Sequence, residues 1–377
     1  MKSKLLKALA CLLALVCLAG CGAIAPKEKT IILSEDTVKQ QQEDSDPAAQ
    51  SFEVKKIVKL PMDKLNPTGN HPDVNKAVVG WIDNDNLAAM TVQTVSVGTD
   101  TYEETETVQQ PTERVMTQFV RIHAQYGFYD PILTLVDVEA ECFDISADGS
   151  LAAYVAGNRL DVYSLHSGSL VQTLTREILA SRVTFAQDGH EVYFTAAGED
   201  KQLEMLDADS GSAATVLADK TYRALAAGEG GMVVCTQSDG AEALGYYDGS
   251  TFREALLSME SRTNSCHVLK NGKGLAAYGG DLYLLDEKGV SLAGADVLAF
   301  DLCPDEMYVA YAQRNADGTV DIRTGYWSGS RIINDKLTYK DIGVTVNAMY
   351  FSPDLSKLYL QGRDEGGQLT AYTFEFR

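Results

Sequence analysis

The chain repeats one order of apolar and polar positions along most of its length. Residues 143–155, "FDISADGSLAAYV", contain an apolar run, a turn with an Asp and a second apolar run, and residues 349–361, "MYFSPDLSKLYLQ", follow the same order. Seven such copies occur, with turns near Asp85, Asp148, Asp188, Gly228, Asn271, Asp305 and Asp354. The last six turns are 40, 40, 43, 34 and 49 residues apart. This spacing indicates a structural repeat of about forty residues.

A second marker has the same period. In most copies a third apolar run, such as "RLDVYSL" or "DLYLLDE", ends in a turn that contains a glycine. These glycines are Gly168, Gly211, Gly249, Gly289 and Gly329, and a fourth run such as "LVQTLT" follows each. Short runs rich in Val, Leu, Tyr and Phe between Asp, Gly and Asn turns are typical of antiparallel strands. We therefore predict an all-β fold, a seven-bladed β-propeller of four-stranded antiparallel blades.

Other repeat folds agree less well with the pattern. A β-sandwich does not need seven units, and the coils of a parallel β-helix are shorter. Helical repeats are excluded because turn signals recur about every eight to twelve residues and no helical period is present. Six or eight blades remain alternatives to seven.

The copies resemble the WD40-like or TolB-like propeller repeat, whose signature is close to "FSPDGKxLAF". The resemblance covers about residues 75–377; the last copy and the copy at Asp148 match best, and the copy at Gly228 has lost the Asp. The resemblance implies a ring of blades with its binding surface at one mouth of the axial channel. We expect the repeated Asp to cap backbone N–H groups in its turn. We expect the tyrosines that recur in the second strands to pack between blades; they are Tyr154, Tyr193, Tyr311 and Tyr359.

The last copy lacks a fourth strand, because the chain ends at Arg377 after three runs. We predict that residues 51–60, "SFEVKKIVKL", form the outer strand of the last blade, so the propeller domain comprises residues 51–377. An acidic, Thr-rich insertion at residues 96–112 is predicted to be an extended hairpin loop of the first blade. It is either a solvated insertion or a binding flap at one mouth of the ring. Residues 258–265 form a second candidate binding loop.

The N-terminus has the features of an export signal. Lys2, Lys4 and Lys7 make the start of the chain positive, and residues 5–18 are nearly all apolar, a run too short for a comfortable membrane span. The run ends in "LAGC", residues 18–21, which resembles the lipobox of bacterial lipoproteins. The resemblance implies a signal peptide at residues 1–20 and a mature N-terminus at Cys21 that carries a diacylglycerol and a fatty acid such as palmitate. A plain signal peptide or a signal anchor is the alternative.

Residues 21–50 are predicted to be a flexible tether, since they are polar, rich in Gln, Glu, Asp and Pro, and without a period that could bury a core. The expected location is therefore extracytoplasmic, with a lipid anchor in a bacterial membrane. Which membrane holds the lipid stays open.

The net charge of the chain limits the kinds of partner that it can bind. The formal charge is −21, and removal of the three lysines in residues 1–20 makes it about −24. This argues against nucleic acid and against a second, electrostatic attachment to an anionic membrane. Cationic proteins or metal ions remain possible partners.

The sequence offers little for catalysis or metal binding. We expect buried free thiols at Cys142, Cys235, Cys266 and Cys303, and the five histidines show no metal-ligand spacing. Acidic turns at residues 83–86, 207–211 and 315–321 suggest Ca²⁺ ligands, but Asp and Asn in such turns ordinarily bond their own backbone. No G-x-S-x-G motif occurs. We predict no catalytic residues, cofactor or metal, and lipidation of Cys21.

The prediction for function is a lipid-anchored envelope module, expected to be a monomer, that binds or scaffolds an envelope protein, a peptide or an extracellular polymer. The alternative is a propeller enzyme of lactonase or lyase type with a metal at the axial channel. Three or more Asp, Glu, Asn or His side chains converging on the axis would favour the enzyme. A purely structural envelope component is a third reading.

Overall fold

The computed structural model describes residues 50–62, 78–97, 112–197, 202–238, 241–258 and 263–377. These residues form strands and turns and contain no α-helix, so no helix in them could cross a membrane. Residues 1–49, with the predicted signal peptide, Cys21 and almost all of the tether, lie outside the described part of the chain.

The described residues form seven antiparallel sheets of four strands each. Blade 1 contains β2 (Val78–Trp81), β3 (Asn86–Val97), β4 (Thr112–His123) and β5 (Tyr129–Val136). Blade 2 contains β6 (Cys142–Ile145), β7 (Leu151–Ala156), β8 (Arg159–Ser164) and β9 (Leu170–Thr175). Blade 3 contains β10 (Ile178–Phe185), β11 (Glu191–Ala196), β12 (Gln202–Asp207) and β13 (Ala213–Leu217). Blade 4 contains β14 (Thr221–Gly228), β15 (Gly231–Ser238), β16 (Ala241–Tyr247) and β17 (Phe252–Ser258).

The remaining three blades complete the set. Blade 5 contains β18 (Thr263–Val268), β19 (Gly274–Tyr278), β20 (Asp281–Asp286) and β21 (Gly289–Gly294). Blade 6 contains β22 (Val297–Leu302), β23 (Tyr308–Arg314), β24 (Val320–Trp327) and β25 (Ile332–Tyr339). Blade 7 contains β26 (Thr345–Phe351), β27 (Lys357–Arg363) and β28 (Leu369–Phe376), and its fourth strand is β1 (Val54–Leu60). The first strands of successive blades adjoin one another around the axis. The predicted seven-bladed propeller is confirmed.

The N-terminal strand closes the ring as predicted. β1 pairs antiparallel with β28, and Val58 lies opposite Thr373. Just before β1, the Phe52 ring packs edge-on against Tyr308 of blade 6 and Phe376 of blade 7, with centroid distances of 5.2 Å in both cases. The junction between the last two blades therefore depends on residues from the beginning of the propeller as well as on its end.

The core consists of apolar clusters between neighbouring blades. One joins blades 2 and 3 through Val155, Leu160 and Phe194, and another joins blades 7 and 1 through Leu60, Trp81 and others. A single four-stranded sheet cannot cover both of its faces, so each blade buries them against its two neighbours. This explains why the strands are continuous apolar runs and lack a clean alternation.

Antiparallel order places two sets of turns on one side of the ring. The turn between the first and second strands and the turn between the third and fourth strands lie at the same end of each blade; we call this side the turn face. β1 is a fourth strand, so the chain enters the propeller at the turn face. Consistent with this, the Gln50 N–H donates to the Tyr308 hydroxyl at 3.2 Å.

The strands on either side of the predicted insertion in blade 1 pair with each other. β3 and β4 are 12 residues each and pair from Asn86 opposite His123 to Val97 opposite Thr112. The connecting residues 98–111 lie outside the described part of the chain, as do residues 259–262 of the second candidate loop. Whether either loop binds a partner stays a prediction.

Candidate functional site

The repeated Asp forms its turn through local hydrogen bonds. The Asp148 carboxylate accepts the Ser146 hydroxyl at 2.6 Å, the Ser150 N–H at 3.0 Å and the Ser150 hydroxyl at 2.8 Å. Burial raises the pKa of Asp148, but these hydrogen bonds outweigh it and hold the pKa well below its ordinary value. Asp354 accepts the equivalent bonds from Ser352 and Ser356. The predicted capping role is confirmed at both turns.

Asp188 departs from this pattern because its carboxylate accepts the backbone N–H of Glu229 in the next blade. Other turns also contact a neighbouring blade. The Asn84 side chain of blade 1 accepts the Asp354 N–H of blade 7 at 3.0 Å, and Lys357 pairs with Asp85 at 2.9 Å. The turn face is therefore a set of contacts that join blades.

His190 links two blades on the turn face. Its Nδ1 lies 3.0 Å from Asp209 of its own blade, and its Nε2 lies 3.4 Å from Asp148 of blade 2. The hydrogen bond to Asp209, with that to Asp148, outweighs burial and raises the pKa of His190.

The axial channel has polar side chains at one repeated position of the first strands. Asp144 and Asp301 each lie four residues before a turn Asp. The Asp144 carboxylate accepts the Phe185 N–H of the next blade at 2.9 Å, and the Asp301 carboxylate accepts the Phe351 N–H of the next blade at 2.7 Å. Both carboxylates thus join neighbouring blades.

Tyr350 and Arg182 lie close to these aspartates. Burial raises the pKa of the Tyr350 hydroxyl, the charges of Asp144 and Asp301 raise it further, and the charge of Arg182 lowers it. The Arg182 guanidinium donates to Thr184 Oγ1 at 3.1 Å and to the Leu225 carbonyl oxygen at 2.9 Å. The channel thus contains two carboxylates and a guanidinium that all bond to neighbouring groups of the ring.

Two carboxylates act on Tyr350 here, and His267 occupies the corresponding position of blade 5, four residues before Asn271, where its ring lies next to the Gln187 side chain. Among the residues that the structure describes, no three His, Cys, Asp or Glu side chains are arranged so that they could hold a metal ion. The acidic turns act locally: Asp83 accepts the Asp85 N–H, Asp207 accepts the Asp209 N–H, and Asp317 accepts the Thr319 N–H.

The second-strand tyrosines have the predicted packing role. Tyr154, Tyr311 and Tyr359 are buried, and Tyr193 is partly buried and packs against an apolar cluster of blades 3 and 4. The buried hydroxyls need partners: Tyr154 donates to Asp161 at 2.8 Å.

The cysteine prediction requires one correction. Within the described residues, Cys142, Cys235 and Cys303 are buried and none of the four cysteines forms a disulfide. Burial raises the pKa of both the Cys142 and the Cys303 thiol to about 12. Cys266, on the first strand of blade 5, is only partly buried.

Sequence reasoning missed an exposed cluster of rings on blade 1, which we call the aromatic turn (residues 123–128). Phe128 lies 4.1 Å from His123 and 5.9 Å from Tyr126, measured between ring centroids. Tyr126 is 68% exposed and Phe128 50%. The signal was present in the sequence: the glycine of this turn stands between Tyr126 and Phe128, where Gly168 and Gly211 stand between serines.

Comparisons with known proteins agree with the fold. No protein-family model matches the chain, and no curated protein sequence matches it. A chain from the crystal structure of a mitotic checkpoint complex is similar with a TM-score of 0.51 and 11% identity, over 92% of this chain and 98% of that one. At this identity the likeness is one of fold alone.

Two further structures are similar at lower scores. Oligogalacturonate lyase from Vibrio parahaemolyticus has a TM-score of 0.47 and 10% identity, over 78% of this chain and 98% of that one. The C-terminal WD40 domain of Sif2 has a TM-score of 0.44 and 13% identity, over 86% and 99%. The propeller fold that the repeats predict is shown by the strand order, and the comparison with the checkpoint-complex chain agrees with it.

Proposed function

We propose that this protein is a lipid-anchored, extracytoplasmic binding module of a bacterial cell envelope. Its partner would be another envelope protein or an exported polymer. The observation that carries the proposal is the use of the axial carboxylates: Asp144 and Asp301 each accept a backbone N–H of the next blade. Acidic groups that a propeller enzyme would direct at a ligand are here part of the joints between blades.

A rigid ring with loops at both faces suits binding. The blades are fixed by strand pairing, inter-blade clusters and contacts between turns, and the loops between strands are displayed on this frame. The extended β3–β4 hairpin is the longest such projection among the described strands. It lies on the side opposite the turn face.

The anchor rests on the sequence "LAGC". Cys21 lies 29 residues before Gln50. A flexible chain of this length has a root-mean-square span of about 30 Å. A lipid on Cys21 would therefore keep the propeller close to the membrane and leave it free to reach partners.

Metabolic labelling with a radioactive fatty acid tests the anchor. Wild-type protein should incorporate label and fractionate with membranes, whereas Cys21→Ala should do neither. Cys17→Ala is the matched control, since it removes a thiol from the same apolar segment and should keep both properties. Equal labelling of wild type and Cys21→Ala would refute the lipid anchor.

Cross-linking and pull-down of the anchored protein test the binding role. Recovery of one envelope protein or polymer in stable amounts is expected. Recovery of no partner from intact envelopes would contradict the binding module and favour a purely structural component.

A further inference from the structure

The aromatic turn of blade 1 and the lysines of β1 form one surface along the first strand of the propeller. The Lys56 ammonium donates to the Gln125 carbonyl oxygen at 3.4 Å. A side chain at Gly127 would meet the Pro61 ring at 3.0 Å, so the turn rests on the end of β1. The exposed rings and the first strand after the predicted tether are therefore neighbours.

The turn holds its rings in place. Gly127 has a φ of +69°, and its N–H donates to the His123 carbonyl oxygen at 2.8 Å, while the Ala124 N–H donates to the Asp85 carbonyl oxygen at 2.9 Å. The Thr373 hydroxyl of blade 7 donates to the Ala124 carbonyl oxygen at 2.7 Å. Exposure of Tyr126 and Phe128 is thus a property of a fixed turn, and a fixed aromatic surface loses little entropy on binding.

Local charge differs in sign from the charge of the whole chain. β1 has the sequence "VKKIVKL", with Lys55, Lys56 and Lys59 and no acidic residue. The acidic side chains near it have cationic or imidazole partners: Glu375 pairs with Lys55, Glu53 with Arg377 at 3.0 Å, and Asp130 with His123 at 3.0 Å. Lys56 lies beside the aromatic turn, and Lys59 adds positive charge on the other face of the same strand.

We propose that the aromatic turn and β1 together contact the surface of the membrane that carries the anchor. The inference rests on the proposed lipidation of Cys21. Aromatic rings are enriched at the boundary between lipid and water, and lysines beside them attract anionic headgroups. The chain before Gln50 leads to the anchor and enters on the same turn face, so this surface is presented to lipid at high effective concentration. The net charge of −21 is an average over the whole chain and hides the basic strand.

Fluorescence quenching by lipid tests the proposal on the full anchored chain in vesicles. Tyr126→Trp places a reporter on the aromatic turn. Leu292→Trp is the matched control, since Leu292 is 58% exposed on the outer strand of blade 5, across the ring. The parent tryptophans Trp81 and Trp327 are buried, and their signal is subtracted with the unsubstituted protein.

The expected result is a blue shift and loss of most of the emission of Tyr126→Trp in vesicles of brominated phosphatidylcholine with phosphatidylglycerol, with little loss for Leu292→Trp. Interfacial side chains lie about 5–10 Å into the headgroup boundary, within reach of brominated chains. Adding Phe128→Ser should reduce the loss in all vesicles. Adding Lys56→Gln and Lys59→Gln should reduce it only where phosphatidylglycerol is present.

Three outcomes would overturn the proposal or its basis, and they can be told apart. Equal quenching of the two reporters in vesicles that retain the protein would overturn the contact surface alone. Protection of position 126 by an added envelope protein or polysaccharide, with lipid quenching no greater than at position 292, would assign the surface to that partner. Failure of the wild type to float with vesicles would overturn the anchor itself.

Discussion

The junction between blades 6 and 7 differs from the junctions around blade 4 in the residue that accepts a backbone N–H of the next blade. At the first, Asp301 of blade 6 accepts the Phe351 N–H of blade 7, as Asp144 does for Phe185 between blades 2 and 3. In blade 4 the structurally equivalent residue is Ala226, which pairs with Val233 as Asp144 pairs with Ala153, and alanine offers no side-chain acceptor. The Val268 N–H of blade 5 is bonded instead by the Gln187 side chain of blade 3, at 2.8 Å.

Gln187 therefore spans blade 4. Its backbone N–H donates to the Ala227 carbonyl oxygen at 2.8 Å, and its side-chain Nε2 lies 2.9 Å from His267 Nδ1 of blade 5. His267 in turn faces Glu306 of blade 6, with 3.9 Å between Nε2 and Oε1. The comparison shows that the first-strand N–H groups of Phe185, Val268 and Phe351 all keep a side-chain acceptor from another blade, while the residue that supplies it changes where the repeat has degenerated.

The largest expected effect on stability comes from opening the ring, because both kinds of junction depend on its closure. Deletion of residues 51–60 takes away β1 and Phe52 and leaves β28 as an open edge. We expect the free energy of unfolding to fall by more than about 5 kcal/mol, which is a large part of the stability of an ordinary domain. Thermal unfolding followed by circular dichroism measures it. A deletion of equal length within residues 98–111 is the control, and an unchanged melting temperature after removal of 51–60 would show that β1 does not close the ring.

The second prediction tests whether the Gln187 and Asp301 side chains are equivalent as acceptors between blades. Gln187→Ala leaves the Val268 N–H without its acceptor, and Asp301→Ala does the same to the Phe351 N–H. Loss of a partner from a buried donor costs about 1–3 kcal/mol, so the two variants should lose similar amounts in urea denaturation.

Introducing the aspartate of blades 2 and 6 into blade 4 tests the same equivalence more directly. In the Gln187→Ala background, Ala226→Asp places a carboxylate where Asp144 and Asp301 stand in their blades, and we expect it to restore part of the lost stability. In the wild-type background Ala226→Asp should destabilise, because Ala226 is buried and Gln187 already occupies the N–H. If the double variant recovered no stability, the aspartate and the glutamine would not be interchangeable as acceptors.

The comparison also shows which parts of the molecule can be predicted from sequence. Asp148 and Gly168 act within their own turns, so their spacing revealed the blades, and the missing strand of blade 7 revealed β1. Gln187 could not be found in this way, because its partner at Val268 is 81 positions distant and in a different blade. Position within the repeat predicts local turns, whereas contacts across a blade depend on which neighbour has a small side chain.

The candidate sites divide along the same line. Cys21 was predicted from a contiguous motif and stays a prediction. The charges near Tyr350 come from three different blades, and the aromatic turn becomes visible only when the third-to-fourth turns are aligned and Tyr126 and Phe128 replace serines. A repeat pattern reveals only residues that recur, whereas the charges near Tyr350 and the aromatic turn both depart from the repeat.

The smallest expected effect concerns His190, which bridges blades 2 and 3 through Asp209 and Asp148. The hydrogen bonds to Asp209 and Asp148 raise its pKa in the folded state above the ordinary value of about 6.5. The resulting stabilisation is fully present below that value and is lost as the pH rises through the folded pKa. Because the carboxylates are largely exposed, the amount should stay below about 1 kcal/mol and shrink with salt.

NMR titration of the His190 ring measures this directly, with Asp209→Asn as the test variant. The midpoint should lie above the ordinary histidine value in the wild type and fall towards it in the variant, since the Asp209 hydrogen bond is the largest cause of the shift. The fall in melting temperature between pH 6 and pH 8 should be smaller in His190→Gln than in the wild type. An unshifted midpoint in the wild type would remove His190 from the contacts that join blades 2 and 3.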